Sequence, residues 1–319
     1  MTKLSNTIKK ITGVKELQLF YFIVLSSIIL SFFNNSFLGY GNIHSLFLGA
    51  SFEAIMVIGM TLLLISGEID LSIGSIAGFS GVAVGMALER GASVPLAIVV
   101  GLLSGVIIGF MNGLLVAKMK VNSLIATLAM QMIIRGLIYV LTKGVGKPTF
   151  PENYNVIGRF MLFERIQLPI VISILIVIIF AILFAKSSWF RQFYFIGGNA
   201  EAAKYSGIRV ERMKIFAFTF MGLMASLSGV LLAARMGGAI PTQGQSMEMN
   251  VITAAVIGGA STTGGVGSIS SSYMGVIIMA IVVNAFNILG VDIYWQRTIT
   301  GLILLLAVLG DLLRRRKTE

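Results

Sequence analysis

Cysteine is absent from this 319-residue sequence, and histidine occurs once, at His44. Disulfides, thiolate metal sites and cysteine nucleophiles are thereby excluded, and so is any multi-histidine metal cluster. Charge is scarce as well: Asp, Glu, Lys and Arg make up 12% of the residues, about half of the ~25% usual in soluble globular domains. That supply is too small to coat a water-facing surface of this size. Against these absences stand 56% hydrophobic residues, 36 glycines and 21 phenylalanines, with a mean hydropathy of +0.94. Glycine is more frequent in membrane helices than in soluble ones. The composition therefore predicts an all-α, polytopic integral membrane protein and excludes a disordered chain or a secreted disulfide scaffold.

The net charge of +11 is also found in nucleic-acid readers. Here, however, the basic residues cluster at the ends of apolar runs, which suits anionic headgroups and the positive-inside rule better than a phosphate backbone. A membrane-crossing helix needs about 20 mostly apolar residues. Runs of that kind predict about ten segments, at 17–33, 43–66, 71–88, 94–116, 121–142, 166–186, 213–235, 251–263, 268–289 and 293–313. The eighth is short and glycine-rich, so a half-helix is an alternative to a full crossing. The polar, basic stretch ahead of the first run, with no A-x-A-like site after it, predicts a retained first span.

Lys3, Lys9, Lys10 and Lys15, the pair Lys118 and Lys120, the 186–214 loop and the tail Arg314-Arg315-Arg316-Lys317 fall on one side when the segments alternate. That bias predicts both termini in the cytoplasm. No boundary between soluble domains is visible. Residues 1–319 read as a single transmembrane domain with a cytoplasmic loop at about 187–213.

Gly101, Gly105, Gly109 and Gly113 recur every four residues, as do Gly74 and Gly78, then Gly81 and Gly85. Small residues on one stripe allow close helix packing in lipid; a glycine-lined passage is the functional alternative. The stretch Gly258-Gly259-Ala260-Ser261-Thr262-Thr263-Gly264-Gly265-Val266-Gly267-Ser268 lacks the lysine that a phosphate-binding G-x-x-x-x-G-K-[ST] loop requires. No ATP site or other bound cofactor is expected in this chain. If ATP energises it, a separate subunit binds the nucleotide.

The most informative segment runs Ile196-Gly197-Gly198-Asn199-Ala200-Glu201-Ala202-Ala203-Lys204-Tyr205-Ser206-Gly207-Ile208. Asn199 is a good N-cap, Glu201 suits the positive end of the helix dipole, and Gly207 can supply a left-handed C′ residue. About two turns of slim helix are predicted. Such a helix suits insertion into a partner's groove, and an ordinary surface helix is the plain alternative.

Glu201-Ala202-Ala203 with the following Gly207 resembles the EAA loop of ABC-importer permeases. Three further blocks resemble the monosaccharide branch of that family, which handles ribose, xylose, arabinose and autoinducer-2. They are Gly67-Glu68-Ile69-Asp70-Leu71-Ser72-Ile73-Gly74-Ser75, Asn112-Gly113-Leu114-Leu115-Val116-Ala117-Lys118, and Pro241-Thr242 through Gly244 to Glu248. The resemblance covers roughly residues 45–313, and Glu68 departs from it where many members have glycine. It implies a permease dimer, homomeric or paired with a related chain, working with ABC ATP-binding subunits and an extracytoplasmic binding protein in the inner membrane of a bacterium. It also implies that Gly198, Asn199, Glu201, Ala202, Ala203 and Gly207 form the coupling helix seated in the ATPase.

Glu68 and Asp70 occupy a glycine-flanked break between two apolar runs, where carboxylates line an inner gate or, with Ser72, cap the next helix. Weak recognition of sugar hydroxyls calls for neutral donors and acceptors. Asn112, Asn122, Thr127, Gln131, Asn284, Asn287 and Gln296 are the candidates, with interhelical hydrogen bonding as their alternative role. Arg135, within the fifth run, is expected to snorkel or to pair with an acid. An ion-coupled secondary carrier would show inverted repeats, and the 67–75 block has no clear duplicate. No acid–base pair or nucleophile set points to an enzyme. Nucleosides, branched-chain amino acids and autoinducer-2 remain competing cargoes within the same superfamily.

Overall fold

The computed structural model describes residues 15–146 and 150–316. Lys3, Lys9, Lys10, Lys147 and Lys317, and the side chains of Lys15 and Arg314 to Arg316, lie outside the described residues. The described chain is almost wholly helical, running through α1 (Lys15–Phe33), α2 (Tyr40–Ile65), α3 (Ile73–Glu89), α4 (Val94–Gly113) and α5 (Ser123–Thr142). After a short α6 (Glu152–Arg159) and a two-residue hairpin come α7 (Leu168–Lys186), α8 (Ser188–Gly198) and α9 (Ala200–Tyr205). The bundle closes with α10 (Val210–Met236), α11 (Met247–Ile257), α12 (Ile269–Ile288) and α13 (Ile293–Arg316). A π turn at Leu114–Lys118 prolongs α4.

Each of the ten predicted runs carries a helix. Eight are long and apolar enough to cross a membrane, namely α1, α2, α4 with its extension, α5, α7, α10, α12 and α13. The other two, α3 and α11, are shorter apolar helices. The eighth run begins four residues earlier than its apolar stretch: α11 spans 11 residues, or about 16 Å, half of a bilayer's ~30 Å hydrocarbon core. The chain turns out of the helix at Gly258 and Gly259, the latter at φ +90°. The strand Met161–Leu162 and the helices α6 and α8 have no counterpart in the predicted spans, and the paired strand Ile166–Gln167 takes the first two residues of the predicted 166–186 run.

The second half of α2 is almost wholly apolar and sits at the centre of the bundle, with every residue from Ala54 to Ile65 buried. α10 lies beside it and packs along α4. There the glycine stripe serves packing: a Cβ on Gly101 would meet Val230 Cγ2 at 2.9 Å, and one on Gly113 would meet Ile215 Cα at 2.8 Å. Gly105 and Gly222 abut each other's backbone at the same crossing. The stripe on α3 receives a different element, the non-helical segment 237–246. This segment descends past Gly85, with Ala239 against it, then Gly81 and Gly78, facing Gln243, and finally Gly74, facing Gly244. It delivers the chain into the bundle before α11 begins.

Candidate functional site

One end of the bundle gathers the conspicuous blocks of the sequence. There Asn199 caps α9, its Oδ1 accepting from the backbone N–H groups of Glu201 and Ala202, both at 3.0 Å. The other end of α9 closes on Gly207 (φ +84°), whose N–H donates to Lys204 O, and on Ile208, whose N–H donates to Ala203 O. Six residues of helix are thus fixed at both ends. Ala203 packs inward, while Glu201, Ala202, Lys204 and Tyr205 are exposed. A cleft of about 510 Å3 runs along α9 between Lys120, Lys204 and the start of α10. Lys120 Nζ and Glu211 Oε1 pair at 3.1 Å beside it.

Gly197, two residues before Asn199, anchors this helix to the rest of the molecule. Gly197 lies directly on the Ile65 carbonyl, and a Cβ there would also come within 2.5 Å of the Gly265 N–H. Gly265 N–H donates to that same Ile65 carbonyl at 2.8 Å. Tyr194 on α8 donates its hydroxyl to Gly267 O at 2.9 Å. The end of α2, the end of α8 and the glycine-rich loop between α11 and α12 therefore meet without intervening side chains. Gly264 and Gly265, both at positive φ, make that approach possible.

The break after α2 is built beside this junction. Gly67 (φ +79°) and Glu68 stop the helix by donating their N–H groups to Leu64 O and Leu63 O, a Schellman closure. Glu68 is ion-paired with Lys214 at the start of α10. Asp70 is fully buried; its Oδ1 accepts from Ser72 N at 2.7 Å and Ser72 Oγ at 2.6 Å. Asn112 bridges the pair, donating to Ser72 Oγ at 2.9 Å and to Asp70 Oδ2 at 3.3 Å. Burial pushes the Asp70 carboxyl above its ordinary range, and the hydrogen bonds from Ser72 and Asn112 pull it back down.

Thr127 accepts from Leu71 N at 3.0 Å, and Asn122 caps α5. Glu68, Asp70, Ser72, Asn112 and Thr127 thus lie around the break, with Asp70, Ser72, Asn112 and Thr127 bonded to one another or to the backbone there, whereas the bonds of Asn122 serve the cap of α5.

Arg135 interacts electrostatically with the buried carboxylate of Glu248. Its Nη1 donates to the carbonyls of Pro241 and Gln243, at 3.0 and 2.9 Å, and so pins the descending segment. One turn away Gln131 donates to Glu248 Oε1 at 3.0 Å.

Asn284, Asn287 and Gln296 lie elsewhere, around two adjoining cavities of about 220 and 280 Å3 between α2, α11, α12 and α13. Asn284 exchanges hydrogen bonds with Asn42, at 2.7 and 3.0 Å. Gln296 donates to Asn287 Oδ1 at 3.2 Å. Where the cavities adjoin, Asn250 donates to Glu53 Oε1 at 2.8 Å. Sequence reasoning passed over Glu53 and Asn250, and noted Glu248 only as the end of the block beginning at Pro241. The signal was present, since Glu53 is a carboxylate at the centre of a long apolar run, a costly placement in lipid.

Residues 42–308 match the family described as branched-chain amino acid transport system / permease component. The chain belongs to that family and is a multi-pass membrane permease component. It is 39% identical over 276 residues to the L-arabinose ABC transporter permease protein AraH of Azospirillum brasilense, covering 86% of this chain and 81% of the relative. It is 37% identical over 289 residues to the ribose import permease protein RbsC of Bacillus subtilis, with coverage of 89% and 88%. The xylose transport system permease protein XylH of Escherichia coli is 31% identical over 374 aligned residues, covering 96% and 95%. These relatives are transporter permeases rather than enzymes. No solved structure matches the chain.

Proposed function

We propose that this chain is the membrane-spanning permease of an ATP-driven importer for a ribose-type monosaccharide. It accepts the sugar from an extracytoplasmic binding protein and works as a dimer, with itself or with a related chain, in a bacterial inner membrane. ATP is bound by separate ABC subunits seated against α9 on the cytoplasmic side, the side that also carries both termini. The observation that carries this reading is the identity, over most of the chain, to permeases named for arabinose, ribose and xylose. The family description mentions branched-chain amino acids; the three pentose names favour sugar. The capped α9 and the contact of Gly197, at the end of α8, with Ile65 support coupling, because a push on α9 meets backbone rather than a soft side chain in which to dissipate.

The test is reconstitution into proteoliposomes with the cognate ATP-binding subunits and binding protein, using labelled D-ribose, L-arabinose and D-xylose. Uptake of one of these sugars is expected only with all components and ATP, and no ATP hydrolysis is expected from the isolated chain. Uptake without the ATP-binding subunits, or none with the complete set, contradicts the reading.

A further inference from the structure

Glu53 is placed halfway along α2, thirteen residues from its start at Tyr40 and so about 20 Å into the bundle. An ionised carboxylate at that depth costs several kcal/mol unless it is paired or wetted. Its surroundings are open: Gly41, Ser45 and Gly49 precede it at four-residue intervals on one face of α2, and all three are exposed. A side chain at Gly41 or Gly49 would meet nothing within 4 Å. The smaller cavity is lined by Ser45, Gly49, Glu53, Asn250 and Asn284, and the larger adjoins it across Asn250 and Val283. Among the described residues Asn250 is the sole hydrogen-bond donor to Glu53, and no group donates to Asn250 Oδ1. Two acceptor atoms are therefore free of protein partners at the middle of the membrane.

We propose that Glu53 and Asn250 form a subsite that holds adjacent hydroxyls of the transported monosaccharide during passage. The proposal rests on the permease reading above and locates its substrate contact. The chemistry suits a neutral polyol. Glu53 Oε2 and Asn250 Oδ1 both accept from hydroxyl donors, which raises affinity without an ion pair that would trap the cargo. Leu46, Ala50, Ala280 and Val283 offer apolar surface to sugar C–H faces. A cavity of about 220 Å3 also falls below the ~300–1,000 Å3 of drug-sized sites, matching a single small sugar. A purely structural bond between α2 and α11 would be served equally by a neutral glutamine.

The experiment uses the complete reconstituted complex and whichever of labelled D-ribose, L-arabinose and D-xylose the unsubstituted complex takes up. Glu53→Gln preserves shape and the bond from Asn250 but removes the charge that strengthens hydroxyl binding. Uptake is expected to fall about tenfold while ATP hydrolysis by the complex stays within about twofold. Gly49→Leu fills open space without straining the helix and should abolish uptake with hydrolysis retained. Gly136→Leu, equally unhindered but on an exposed face of α5, should take up sugar normally. Normal uptake by both Glu53→Gln and Gly49→Leu overturns the subsite and leaves the permease reading intact. Collapse of abundance and hydrolysis in both shows a scaffold role and equally overturns it. Failure of the unsubstituted complex to take up any pentose overturns the permease reading itself, and the subsite with it.

Discussion

Gly197 and Gly198 stand side by side at the end of α8, yet they differ in what a methyl group would meet. At Gly197 it would press on the Ile65 carbonyl and the Gly265 amide, two backbone groups that cannot rotate away; at Gly198 nothing lies within 4 Å. Gly197→Ala should therefore destabilise the protein by about 1–3 kcal/mol, with a lowered thermal midpoint in detergent. Gly198→Ala should be neutral or stabilising by up to about 1 kcal/mol. Equal midpoints for the two variants would refute the three-way contact. Residues such as Asn199 and Gly207 were legible because capping is local: a side chain bonds amides two and three positions on. Gly197 was not, because its constraint comes from Ile65 and Gly265, far away in sequence. Glu53 was legible in principle, and only its partner Asn250 needed the fold.

At the scale of elements, α9 divides its alanines between two tasks. Ala203 packs against the chain, whereas Ala202 points outward. Ala202→Trp should leave abundance unchanged while weakening co-purification of the ATP-binding subunit and lowering sugar uptake at least about tenfold. Gly207→Val should act in the same direction through backbone strain of about 1–2 kcal/mol at φ +84°, since no neighbouring atom blocks the side chain. Wild-type binding and uptake in both variants would remove α9 from the coupling path.

The long helices were readable from apolar runs because lipid imposes length and composition on each span separately. The start of α11 was misplaced by four residues because Glu248 and Asn250, polar in sequence, are accommodated by Gln131 and Glu53. α8 is amphipathic and aromatic, with Phe190 and Phe193 buried among Phe184 and Phe216; that packing is invisible before α7 and α10 are placed.

For the whole molecule, the break after α2, the end of α8, α9 and the loop between α11 and α12 all gather at one end of the bundle. The coupling account requires that end to be cytoplasmic and covered by the ATP-binding subunit. Because the chain contains no cysteine, Ser206→Cys on the exposed turn after α9 introduces a single reporter thiol. The account predicts no labelling by a membrane-impermeant maleimide applied outside intact cells, full labelling in inside-out vesicles stripped of the ATP-binding subunit, and protection when that subunit is restored. Labelling from outside the intact cell, or labelling indifferent to the bound subunit, would contradict it.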